Sequence, residues 1–140
     1  MIVDGSDNSD YFIYKFNISK KDQKRIMFLN DFFSNKKNSE TFSKNNLEKI
    51  LYFNGKKSLL DLLYFQIFIS KKLDNKIVDF IKYFNDKEPP LLPLRAITLM
   101  TKYNIPEGKE LGEKLKKIEN QWIDNNFQIS ESEVQKIINN

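Results

Sequence analysis

The chain has 140 residues and a net charge of +4, with no cysteine, no histidine, and twelve Phe and six Tyr within a 40% hydrophobic composition. That length fits one compact domain or two small subdomains and excludes a large multidomain enzyme, while the apolar content is sufficient for a core. Without Cys or His there is no thiolate nucleophile, no imidazole base and no ordinary zinc site, which leaves magnesium held by converging carboxylates as the remaining catalytic chemistry.

Residues 1–18 read as a flexible or extended lead-in: Asp4, Gly5, Ser6, Asp7, Asn8 and Ser9 are turn formers, and Tyr11 to Ile18 alternates weakly. Met1 to Asp10 has neither a basic head nor an apolar segment, so a secretory signal is not expected and the cytoplasm is the expected location.

A body-like subdomain is expected over residues 19–88. Ser19 is placed to cap a helix whose Ile26, Leu29 and Phe33 share one face and which ends near Asn35. Ser43 caps a second helix, with Leu47, Ile50 and Leu51 inward and Asn54 and Gly55 as its stop. Ser58 then opens a long apolar helix. Its richest run, Leu59 to Ile69, contains Asp61 and Gln66 and so reads as a buried helix, with no membrane association. Ile77, Phe80, Ile81 and Phe84 define a further helix, and Pro89, Pro90 and Pro93 divide the chain.

A tail-like subdomain is expected over residues 91–140. Leu111, Leu115, Ile118 and Trp122 fall on one helical face, beside a mixed face of Glu113, Lys114, Lys116, Lys117 and Glu119. Ser130 and Glu133 form a capping box for a last helix carrying Val134, Ile137 and Ile138. The expected fold is all-α, a bundle of about six to seven helices in which the body-like part precedes a tail-like helical hairpin.

Arg25 and Arg95 are the two arginines and every other basic residue is lysine. The positive charge favours an anionic partner such as RNA. Lysine, like the abundant Asn, Ile, Phe and Tyr, is encoded by AT-rich codons, so base composition is an alternative source of part of the lysine excess. The turn Asn104, Ile105, Pro106, Glu107, Gly108 matches no Walker or dinucleotide pattern. It reads either as a helix connector or as a helix start that offers backbone amides to a phosphate, with Lys102 and Lys109 on its flanks.

These residues carry a resemblance. Pro93, Leu94, Leu99, Ile105, Pro106, Gly108, Leu111, Gly112, Leu115, Ile118, Glu119, Trp122, Ile123 and Phe127, in that order, are similar to the C-terminal end of the bacterial CCA-adding tRNA nucleotidyltransferase and poly(A) polymerase family. Ala96 and Thr98 depart from the Gly and Asp usual there, and Glu107 and Lys109 stand where prolines are frequent. The likeness extends weakly over the helices between Ser19 and Phe84.

The resemblance implies the body and tail of such an enzyme, the part that holds tRNA or other RNA. Magnesium with CTP or ATP is expected only of the catalytic head that complete members carry, so no catalytic residue, metal ligand or cofactor is assigned within these residues. Asp4, Gly5, Ser6 and Asp7 look superficially like the head's Gly-Ser segment and aspartates, but no strand or paired Asp-x-Asp follows, and they are not read as catalytic. Lys102, Gly108, Lys109, Lys114, Lys116 and Lys117 are the implied phosphate contacts. Pro93, Leu99, Pro106, Leu111, Gly112, Glu119, Trp122 and Phe127 are the implied structural positions, with Trp122 in the core rather than stacked on a base. Two other readings stay open: a helical interaction module that docks a separately encoded nucleotidyltransferase head, and a gene remnant that folds without a function.

Overall fold

A computed structural model of the chain describes residues 8–35, 41–71 and 74–139. These residues form seven helices and no strand: α1 (Ser9–Lys15), α2 (Lys20–Ser34), α3 (Lys44–Ser70), α4 (Asn75–Asp86), α5 (Ala96–Tyr103), α6 (Lys109–Asp124) and α7 (Glu131–Asn139). The all-α bundle expected from the sequence pattern is thus the observed architecture. The chain divides into two compact units, Met1–Pro89 and Pro90–Asn140.

In the first unit, Ser9–Lys15 is helical where the weak alternation of Tyr11 to Ile18 predicted an extended segment. The reason lies in contacts one turn apart: the Phe12 and Phe16 rings are 4.8 Å apart and the Lys15 amine sits 5.4 Å from the Tyr11 ring. α1 also packs on α2, so tertiary contact outweighs a short period-two pattern. Asp4, Gly5, Ser6 and Asp7 lie outside the described residues.

Ser19 caps α2 as expected, accepting from the Asp22 amide at 3.2 Å while its hydroxyl donates to the Asp22 carboxylate at 2.7 Å. The guanidinium of Arg25 then ties α2 to α3. It reaches Asp61 through two hydrogen bonds of 2.6 and 2.9 Å, and Asp22 through a third of 2.8 Å. This forked geometry suits Arg and is closed to Lys.

Ser43 caps α3 by accepting from the Asn46 amide at 3.3 Å, also as expected. The break expected at Gly55 takes a different form. Gly55 has φ +79 and ψ 166, a conformation nearly closed to residues with a Cβ, yet helical geometry resumes at once. Lys56 and Lys57 are good helix formers with no turn residue after them, so α3 is kinked rather than ended, and Ser58 lies inside the resumed helix rather than capping it. Leu47, Ile50 and Leu51 before the kink share a core with Leu59, Leu62 and Leu63 after it and with Ile77 and Phe84 of α4. Asp74 caps α4 through the Lys76 amide at 2.9 Å.

In the second unit α6 packs between α5 and α7. Leu99, Ile105, Leu111, Ile118 and Val134 form its buried cluster, and Ile137 and Ile138 pack against it. The predicted capping box is present: the Glu133 carboxylate accepts from the Ser130 amide at 2.8 Å, and the Ser130 hydroxyl accepts from the Glu133 amide at 3.3 Å. Among the described residues no helix is long and apolar enough to cross a membrane.

Candidate nucleic-acid interface

The turn between α5 and α6 is built from three backbone decisions. Asn104 ends α5 in the left-handed conformation, at φ +53, which Asn tolerates better than most residues. That reversal drives Ile105 into the core beside Leu99 and leaves Pro106 at the surface. Gly108 then starts α6 at φ +147, a conformation that calls for glycine. With no side chain at this N-cap, no side-chain cap covers the first amides of α6.

The sequence-predicted phosphate contacts separate into three groups. Lys102 is drawn to Glu131 of α7, and the hydrogen bond its amine donates to that carboxylate holds its pKa above the usual lysine range. Lys114 points inward, only 16% exposed, with Glu110 at 3.4 Å and its amine donating to the Ile138 carbonyl near the end of α7. It is a strut between two helices, placed there because it lies one turn before the buried Ile118. Lys109 is 91% exposed, with Glu113 one turn on at 3.6 Å, a contact weakened by water.

Lys116 and Lys117 differ from these. Both are exposed, and neither has an ion-pair partner among the described residues. The face of α6 available to an anion is therefore Lys109, Lys116 and Lys117, together with the open helix start at Gly108. Glu110 and Glu113 lie on the same helix and temper its charge.

The implied structural positions divide between core and surface. Leu99, Leu111 and Trp122 are buried, whereas Phe127 is half-buried and lies against Trp122. Glu119 is half-buried. Pro93, Pro106 and Gly112 are exposed, and a Cβ at Gly112 would meet nothing within 4 Å, so packing gives no reason for glycine there. Trp122 is 2% exposed and presents no face to a base.

Among the described residues no group of three or more carboxylates converges in a way that would hold magnesium. Sequence reasoning gave no role to the cations around Gly55, Lys21, Lys24, Lys56 and Lys57, which line one cleft of the first unit. They come from segments far apart in the chain, so their spacing carries no signal.

No protein-family model matches the chain, and no curated protein or solved structure shows significant similarity to it.

Proposed function

We propose that this chain is a helical RNA-holding module, equivalent to the body and tail of a CCA-adding tRNA nucleotidyltransferase or poly(A) polymerase, and that nucleotide addition depends on a head domain outside these helices. One observation carries the reading: the ordered series of residues from Leu99 to Phe127 folds as one unit, and beside its buried stripe the unpaired Lys116 and Lys117 face solvent. Cations of this kind bind phosphates and position RNA without reading its sequence.

The test is tRNA binding as a function of salt. Phosphate contacts give a log–log slope of roughly 0.7 to 0.9 per contact, so K116E/K117E should reduce both affinity and slope while the thermal melt stays in place. Affinity for tRNA no higher than for an unrelated polyanion rejects the RNA reading. With magnesium, CTP, ATP and a tRNA lacking its CCA end, the chain should add no nucleotide, and incorporation of label overturns the non-catalytic assignment.

A second reading, the docking of a separately encoded catalytic head, is favoured by one feature of the first unit. Tyr64 and Phe68 are exposed along a groove lined by Ile26, Leu29 and Phe65, with the Arg25–Asp61 pair at its polar edge. Tight binding of a purified head to this chain in the absence of RNA, lost in F68D, would support it.

A further inference from the structure

The first unit holds a concentration of positive charge that the α6 surface does not involve. A cleft of about 460 Å³ at the Gly55 kink is lined by Lys21, Lys24 and Arg25 of α2 and by Lys56 and Lys57 of α3, and no carboxylate is among its lining residues. Arg25 and Lys56 are held by Asp61 and Glu88. Lys21, Lys24 and Lys57 are exposed and have no ion-pair partner among the described residues. Three lysines are thus left to charge the cleft.

Ser58 supplies an independent observation. It is 7% exposed, it lines this cleft, and its hydroxyl makes no hydrogen bond among the described residues. Among the described residues no fully occluded side-chain oxygen lacks a partner, so the Ser58 Oγ keeps some exposure, and the cleft is what Ser58 lines. A hydroxyl that reaches the cleft without a protein partner can donate to a bound acceptor.

Backbone and aromatic groups complete the setting. Because Gly55 is non-helical, α3 restarts over residues 56–70 and directs the amides of its first turn, those of Lys56, Lys57 and Ser58, toward the kink. Phe28 forms part of the wall, and Phe53, 66% exposed, stands at the rim. Amides at a helix start, a free hydroxyl and lysines without acids suit a phosphate, and an exposed ring beside them suits a base.

We propose that the cleft at the Gly55 kink binds the phosphate of a nucleotide, whether free or within RNA, with the Ser58 hydroxyl and the Lys56 and Lys57 amides on its oxygens. Lys21, Lys24 and Lys57 neutralise the charge, and Phe53 stacks on the base. The site is built from residues of the first unit alone, and it stands or falls independently of the reading given to Lys116 and Lys117.

The test follows amide resonances of the full ¹⁵N-labelled chain during titration with AMP, inorganic phosphate, adenosine and a short single-stranded oligoadenylate. AMP and phosphate should shift Gly55, Lys56, Lys57 and Ser58 saturably, and adenosine should not. If the oligonucleotide saturates the same amides at lower concentration than AMP, the phosphate belongs to RNA; if AMP is the tighter ligand, it belongs to a free nucleotide. S58A should weaken AMP binding about tenfold, as expected for a hydrogen bond to a charged group. K57E, at an exposed position, should weaken it with the fold intact, and K116E/K117E should leave it unchanged. Shifts spread evenly over surface lysines, no shift near Gly55, or full affinity in both S58A and K57E would overturn the assignment.

Discussion

Phe127 and Trp122 meet in a T-shaped ring contact, centroids 4.9 Å apart at 77°, while the Phe127 amide donates to the Trp122 carbonyl at 2.7 Å. With the Asn126 amide on the Ile123 carbonyl at 3.2 Å and Asn126 at φ +54, these bonds form a Schellman cap that ends α6. The ring pair is the apolar contact that accompanies such a cap. The spacing of Trp and Phe five residues apart has a structural cause, and the tryptophan serves as core.

F127A should therefore destabilise the second unit by about 2 kcal/mol, through lost burial and the lost ring pair. Trp122 is the single tryptophan, so urea unfolding followed by its fluorescence reads this unit directly. A loss below roughly 0.5 kcal/mol would show that the cap contributes little.

Lys114 and its neighbours on α6 should part company on mutation. K114E sets a carboxylate beside Glu110 and removes the donor from the Ile138 carbonyl, which should cost about 1 to 2 kcal/mol. K116E/K117E should stay within roughly 0.5 kcal/mol of the parent, because both side chains lie in water. Equal losses in the two variants would contradict the strut assigned to Lys114.

Glu133 makes the second unit acid-sensitive. Its carboxylate accepts from the Ser130 amide first, then from the Ser130 hydroxyl and Asn125, and these bonds hold its pKa below the usual glutamate range. A pKa lowered by folding means stabilisation that is present above the unfolded pKa and lost as pH falls through the folded one. The melting temperature should thus drop more steeply with acid in the parent than in E133Q. Parallel acid titrations of the two chains would assign the sensitivity elsewhere.

Arg25 and Asp61 should behave as a coupled pair in the first unit. R25K keeps the charge but loses the fork, so it and D61N should each cost about 1 to 2 kcal/mol, with a coupling near 1 kcal/mol in a double-mutant cycle. Both side chains are about one-third exposed, at 31% and 29%, so the coupling should shrink at high salt. Strict additivity would mean that the pair does not tie α2 to α3.

Much of the helical plan was legible because its determinants are local. Ser19, Ser43 and the Ser130–Glu133 box act within one turn of their own positions, and Leu111, Leu115, Ile118 and Trp122 repeat at the period of the helix they bury. α1 departs from the extended segment its pattern suggests because so short a run of aromatics fits either period, and packing on α2 selects the helix.

Ser19, Ser43 and Ser130 as caps, the inward stripe of α6 and the break at Gly55 follow from side-chain chemistry over a few residues and could be read along the chain. The sequence by itself also supplied the ordered series from Pro93 to Phe127 on which the RNA reading rests. Which lysines are engaged depends on contacts between helices. Lys102 and Lys114 are engaged by α7, and Lys116 and Lys117 are left to solvent, although all four look alike in the chain. Only the tertiary structure brought Lys21 and Lys24 beside Lys57 and Ser58 at the kink. A charge acquires its role from the groups that folding places around it, and those partners lie one or more helices away.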